Sequence, residues 1–175
     1  MANLIILDGL SRTGKTTISN NLVSDNLGRI ISLSEKRPED TDVSSFYKGV
    51  GQISNEFYKT FPNETFILDR SFLSELVFAK FFKRPLSVDY EFIANMSKHN
   101  KITQFYLYNS HSDYMKRLPK DRHIYSNMEY EKLKRLFALE LTKMKLSIET
   151  ISIDTSKNNI NQVYSIIKHK LTNNE

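Results

Sequence analysis

Two spacings of apolar residues alternate along this chain. Short uninterrupted runs, as at residues 3–7, 29–33, 66–68, 102–108 and 148–154, read as buried strands. Between them, apolar residues recur every three or four positions, which predicts helices over 16–27, 44–60, 72–83, 88–98, 110–118 and 160–171. Ser126-Asn127-Met128-Glu129 has the pattern of a capping box and opens a further long helix to about residue 147. Gly49 and Gly51 interrupt the second helix near its middle, and Lys83-Arg84-Pro85 closes the third. Strand-like and helix-like stretches taking turns predict an α/β protein, with a parallel sheet covered by helices on both faces. No internal repeat, low-complexity tract or proline- or glycine-rich linker divides the 175 residues, so one domain is expected over 1–175.

The junction of the first strand and first helix carries the most chemistry. Gly9-Leu10-Ser11-Arg12-Thr13-Gly14-Lys15-Thr16 fits G-x-x-x-x-G-K-[ST] without a mismatch. A strand feeding a glycine loop that opens a helix gathers backbone N–H groups around one point, where the helix dipole is also positive. The loop residues Gly9, Ser11, Arg12, Thr13, Gly14, Lys15, Thr16 and Thr17 are therefore expected to cradle the phosphates of a nucleotide. Lys15 is expected to reach the outer phosphates and the Thr16 hydroxyl to ligate Mg²⁺.

Thr65-Phe66-Ile67-Leu68-Asp69-Arg70-Ser71 is the second informative stretch. Asp69, at the end of a buried strand, is placed to hold Mg²⁺ or to orient an attacking oxygen. Arg70 forks to phosphate oxygens or forms a plain salt bridge. Glu75 stands at the start of the next helix, on the ligand side. The polar loop Ser34-Glu35-Lys36-Arg37-Pro38 follows the second strand at the sheet edge where ligands sit. Lys36 and Arg37 either meet an anionic group there or are solvated. Aromatics of the second helix, Phe46 among them, either stack on a base or fill the core. Lys116, Arg117, Lys120, Arg122 and His123 make a basic segment between two helices. It reads either as a lid over about 116–126, bringing arginines to a transferring phosphoryl group, or as a solvated loop. Thr155-Ser156-Lys157-Asn158 forms a turn where an adenine can rest.

Bulk composition adds limits. The formal charge of +5 and pI near 9.3 suit a polyanionic ligand, nucleotide or nucleic acid, and equally suit ordinary solubility. With no cysteine there is no disulfide or thiolate chemistry, which fits a cytoplasmic protein. No stretch is long and apolar enough for a membrane helix, and no secretory signal is expected. His99, His111, His123 and His169 show no metal-ligand spacing.

Asp8-Gly9-Leu10-Ser11-Arg12-Thr13-Gly14-Lys15-Thr16-Thr17 resembles the phosphate loop of thymidylate kinases that carry an arginine inside the loop. Leu68-Asp69-Arg70 resembles that family's Asp-Arg motif, Lys36-Arg37-Pro38-Glu39 loosely matches its basic-proline loop, and Ile151-Ser152-Ile153-Asp154-Thr155-Ser156 resembles its ending. Asp69-Arg70-Ser71-Phe72-Leu73-Ser74-Glu75 is similar to small phage proteins of this kind. Deoxynucleoside kinases share the layout and an acid-Arg-Ser motif. The resemblance implies a P-loop NTPase three-layer αβα sandwich with a five-stranded parallel sheet and a small helical lid. It implies phosphoryl transfer from ATP with Mg²⁺ to a deoxynucleotide, dTMP in the first instance. Lys15 would grip ATP, Arg12 and lid residues such as Arg117 and Arg122 the moving phosphoryl, and Arg70 the acceptor phosphate. Asp69 would position Mg²⁺ or the acceptor. Asp8, Glu35, Arg37 and Phe46 or Phe72 would line the acceptor side, with an aromatic on its base. Such dimerisation as the family shows is expected here too, without a located interface.

One residue departs from the pattern. Ser11 stands where thymidylate kinases with this loop usually carry an aspartate that contacts the sugar 3′-hydroxyl. The acceptor therefore stays open between a monophosphate, a nucleoside with Glu35 as general base, and a hydroxyl on DNA. A GTPase is disfavoured because Asn100-Lys101-Ile102-Thr103 lacks the guanine-pairing aspartate. Intact Lys15, Thr16, Asp69 and Arg70 argue against a binding module without catalysis.

Overall fold

The computed structural model describes residues 1–32, 42–117, 124–144 and 148–173. In chain order the elements are β1 (Ala2–Gly9), α1 (Lys15–Ser24), β2 (Arg29–Ser32), α2 (Val43–Thr60), β3 (Thr65–Asp69) and α3 (Phe72–Phe81), then α4 (Tyr90–His99), β4 (Asn100–Tyr108), α5 (His111–Lys116), α6 (Asn127–Met144), β5 (Glu149–Asp154) and α7 (Ile160–Thr172). The five strands form one parallel sheet in the order β2-β3-β1-β4-β5. The most apolar strand, β1, is therefore central, with Leu7 in register with Asp69 of β3 on one side and Phe105 of β4 on the other.

Alternation along β1 splits the core in two. Leu4 and Ile6 face a cluster built with Tyr58 of α2, Leu73, Leu76 and Val77 of α3, Ile93 of α4 and Phe137 of α6. Ile5 and Leu7 face the other side, where Ile18 and Leu22 of α1 pack with Val163 and Ile167 of α7. The result is three layers, helix–sheet–helix, as the spacing predicted. Helix α3 is buried on nearly every side because α6 covers the face that turns from the sheet. Among the described residues, no helix is long and apolar enough to cross a membrane.

Local differences from the expected pattern have physical causes. α2 runs unbroken through Gly49 and Gly51, started by the Asp42 side chain accepting from Ser45 N at 2.7 Å. Its apolar positions do not all face inward. Tyr58, against Phe66 of β3, is 2 % exposed, whereas Ile53 is 73 % exposed. The capping box at 126–129 forms, with Ser126 N donating to Glu129 Oε2 at 2.8 Å and Glu129 N donating to Ser126 Oγ at 3.3 Å. Glu35, Lys36, Arg37, Arg122 and His123, with most of the expected lid, lie outside the described residues.

Candidate functional site

Chain geometry at the end of β1 creates the loop. Gly9 has φ 129°, and a Cβ there would come within 2.0 Å of the Leu107 carbonyl oxygen on β4. Leu10 N donates to that same oxygen at 3.1 Å, so the loop lifts off the sheet between β3 and β4. Gly14, with φ 89°, is the N-cap of α1, and a Cβ there would come within 2.6 Å of Ile160 Cδ1. The first intrahelical bond is Ile18 N to Gly14 O at 3.0 Å. The N–H groups of Lys15, Thr16 and Thr17 thus have no partner within the helix and form an anion-binding helix start.

Lys15 is 5 % exposed. Its Nζ donates to Leu10 O at 2.5 Å and Thr13 Oγ1 at 3.2 Å, so the ammonium is held by neutral oxygens of its own loop. Burial first, and then the nearby Arg70 charge, push the Lys15 pKa down to about 7, against the pull of Asp69 and Asp8. An incoming phosphate would supply the negative charge this ammonium lacks.

On the β3 side, Thr16 Oγ1 donates to Asp69 Oδ2 at 2.5 Å. Hydroxyl and carboxylate thus converge below the loop, as an oxygen-binding Mg²⁺ requires. Among the described residues, no cluster of three or more His, Cys, Asp or Glu side chains could hold a metal. A lone carboxylate and hydroxyl suit an ion that takes its other ligands from phosphates and water.

Arg70 follows directly and lies in the left-handed region at φ 73°. Its backbone N donates to Leu7 O at 3.0 Å, and its Nη1 donates to Gly9 O at 3.3 Å and Ser74 Oγ at 3.4 Å. The guanidinium lies 5.3 Å over the Phe78 ring. Arg70 is also part of the wall of a cleft of about 510 Å³ between α2 and α3. Phe72, Phe78 and Phe92 give that cleft apolar walls, and Glu75 and Arg84 give it a charged patch. Arg84 holds Glu75 with both terminal nitrogens, Nη2 at 2.6 Å, and Ser87 donates to the same carboxylate.

Across the loop lies a second pocket of about 310 Å³, lined by Arg12, Gly14, Thr17, Arg117, Asn158 and Ile160 among others. The 155–158 turn forms part of its wall. Arg117 Nη1 donates to Arg12 O at 3.0 Å and Arg117 Nη2 to Thr155 O at 2.9 Å. Arg12, at φ 65°, places its guanidinium 4.9 Å over the buried Tyr114 ring.

The structure brings Lys15, Thr16, Asp69 and Arg70 together around the loop. It gives three residues surroundings other than those expected. Asp8, expected beside a ligand, is fully buried, and its oxygens accept from Ser71 Oγ at 2.8 Å and from Ser74 Oγ. Arg117 binds the loop's backbone and the 155–158 turn. From α2, Val43, Val50 and Gly51 line the cleft rather than Phe46, whereas Phe72 does line it. Arg84 was read only as a helix end. Its pairing with Glu75 has no local signature, because residues nine apart meet only after α3 ends and the chain turns back at Lys83, φ 53°. Ser71 and Ser74 did carry a signal, since residues three apart share one helix face.

No protein-family model matches the chain, and no curated protein matches it in sequence. Solved structures do match it. The YorR protein of Bacillus subtilis, in complex with phosphorylated GDP, is 20 % identical over 97 % of this chain and 96 % of that one, with a TM-score of 0.75. Thymidylate kinase from Candida albicans is 15 % identical over 99 % of this chain and 92 % of its own, with a TM-score of 0.69. Deoxyadenosine kinase from M. mycoides with bound dCTP is 20 % identical over 97 % and 98 %, with a TM-score of 0.61. The chain has the fold of these thymidylate and deoxyadenosine kinase structures.

Proposed function

We propose that this protein transfers the γ-phosphoryl group of ATP to the 5′-phosphate of a deoxynucleotide, dTMP in the first instance, in the manner of thymidylate kinases. An acceptor phosphate oxygen forms a bond to the γ-phosphorus, the bond from that phosphorus to the β,γ-bridging oxygen breaks, and ADP leaves with the electron pair. The observation that carries the reading is the position of Arg70, which touches the Gly9 carbonyl of the phosphate loop and also lines the 510 Å³ cleft. A fixed cation where donor and acceptor sites meet is what two phosphates need in order to approach.

The other residues divide the work. N–H groups of the loop and the first turn of α1 bind the ATP phosphates, and Lys15 leaves its carbonyl and hydroxyl partners for their oxygens. Thr16 and Asp69 hold Mg²⁺, which when bound offsets charge on the phosphates. The 310 Å³ pocket takes the adenine, with Arg117 fixing the loop against the 155–158 turn. The acceptor base lies in the apolar cleft, with Glu75 and Arg84 towards its polar edge.

A monophosphate acceptor is favoured over a nucleoside by the state of the cleft's carboxylate among the described residues, which do not include Glu35. A neutral 5′-hydroxyl needs a base to take its proton, whereas a phosphate oxygen does not. Glu75, the carboxylate among the described lining residues, is bound by Arg84 and Ser87. The deciding experiment is labelled-phosphate transfer from ATP–Mg²⁺ to a panel of deoxynucleosides, deoxynucleoside monophosphates and DNA ends. Transfer to monophosphates is the expected outcome. Transfer only to nucleosides or only to DNA would reassign the acceptor, and silence across the panel would overturn the reading. Asp69→Asn is expected to lower kcat about 100-fold in the same assay by weakening the hold on Mg²⁺.

A further inference from the structure

We propose that Asp8 is a positioning residue, whose buried carboxylate, anchored by the Ser71 hydroxyl on one oxygen, holds the guanidinium of Arg70 in place through the hydroxyl of Ser74 on the other. The proposal rests on the phosphoryl-transfer reading for its kinetic consequence but not for its geometry.

Hydrogen-bond direction runs one way through the group. A carboxylate only accepts, so Asp8 fixes the hydroxyl proton of Ser74 toward itself. That leaves a Ser74 lone pair for Arg70 Nη1, 3.4 Å away. The second Asp8 oxygen does the same for Ser71 at 2.8 Å. The order is Arg70 to Ser74 to Asp8, with every donor pointing at the buried anion.

Three local costs meet at this one place. Asp8 is fully buried against neutral hydroxyls, an expensive setting for a carboxylate. Ser71 is the N-cap of α3, yet its side chain makes no cap bond, because its hydroxyl goes to Asp8. That gives up a cap worth about 1 kcal/mol. Arg70 itself sits at φ 73°, a conformation rare for a side chain of its size. A tie that merely docked α3 on β1 could use apolar contacts and an ordinary cap. What the polar arrangement adds is a fixed direction for Arg70, whose guanidinium also reaches Gly9 O and covers Phe78.

The test compares wild type with Asp8→Asn, Ser74→Ala, Arg70→Ala and the Asp8→Asn/Arg70→Ala double variant. An asparagine both donates and accepts, so it no longer dictates the Ser74 proton. With the acceptor identified in the panel, Asp8→Asn is expected to lower kcat about tenfold while KM for ATP stays within about twofold. The double variant should be no worse than Arg70→Ala alone. Additive losses, or a raised KM for ATP at unchanged kcat, would overturn the proposal. Should Asp8→Asn not fold, Ser74→Ala breaks the same relay with a small side chain and must give the same kinetic signature. A second readout needs no turnover: the NMR signal of Arg70 Nε–Hε. It should be rigid in wild type and motionally averaged in Asp8→Asn and Ser74→Ala. An unchanged signal in both variants sinks the proposal, whereas loss of rigidity with no transfer by wild type would sink only the kinase reading.

Discussion

Two of the buried charge clusters among the described residues are built on opposite terms. Behind the sheet, Glu140 of α6 is 1 % exposed and takes Lys80 of α3 at 2.6 Å, Lys143 at 3.4 Å and the Tyr90 hydroxyl. Burial alone would raise its pKa, but the bonds from Lys80 and Tyr90 hold it below the ordinary glutamate value. Lys80 in turn is held above the ordinary lysine value by the same contacts, against burial. Each partner strengthens the charge of the other. At the phosphate loop, Lys15 is bonded to neutral oxygens with Arg70 as a second positive charge nearby, and its pKa falls to about 7. The satisfied cluster ties three helices together. In the other, Asp69 and Asp8 only partly offset burial and Arg70, so an arriving anion would stabilise it further, and that mismatch makes it the candidate site.

The sharpest way to break this contrast is to remove the mismatched lysine. Lys15→Ala should lower phosphoryl transfer at least about 1000-fold to every acceptor, measured with labelled ATP, because the donor phosphates lose their cation. Retained turnover would mean that the mismatch serves nothing. Glu140→Gln should cost about 2 kcal/mol of unfolding free energy at neutral pH, read from urea unfolding, with transfer unchanged. The sign with pH follows from its lowered pKa. The Glu140 contribution is present above the unfolded glutamate value and is lost as pH falls through the folded one. The gap between wild type and Glu140→Gln should therefore close in acid, and a constant gap would show that the charge is not what matters. Lys15→Met should raise stability by about 1 kcal/mol while abolishing transfer, since an unmatched buried cation gives way to an apolar chain. A less stable Lys15→Met would make the loop lysine structural, like Lys80. Smallest of all is the exposed pair Arg29–Glu64, 3.5 Å apart with side chains 77 % and 44 % exposed. Arg29→Ala should shift stability by less than about 0.5 kcal/mol, setting the scale for charge outside both clusters.

What could be read from the chain, and what could not, divides by distance along it. The phosphate loop, the capping box at 126–129 and the alternation of strands and helices are local, and each forms within about three residues of its expected place, the first helix ending at Ser24 rather than at residue 27. Asp69 beside Thr16 was legible too, since a strand ending next to the loop has few other places to put its carboxylate. The role of Asp8 was not. Its partners Ser71 and Ser74 lie 63 and 66 residues away, and they meet it only because β3 pairs with β1 in one register. The same holds for Arg117, whose carbonyl partner on Arg12 is 105 residues away. α2 was placed correctly, but spacing alone could not tell that Ile53 would face outward.

The contact between Gly14 and Ile160 has a consequence for how the protein is made. The loop leaves the ribosome well before the surfaces that shape it, which belong to much later stretches. Leu107 closes on Gly9, Arg117 holds the backbone of Arg12, and Ile160 packs where a Gly14 side chain would stand. A nascent chain halted before these segments emerge carries the signature motif without the shape that binds a nucleotide. Competence therefore waits until α7 has emerged and settles beside α1.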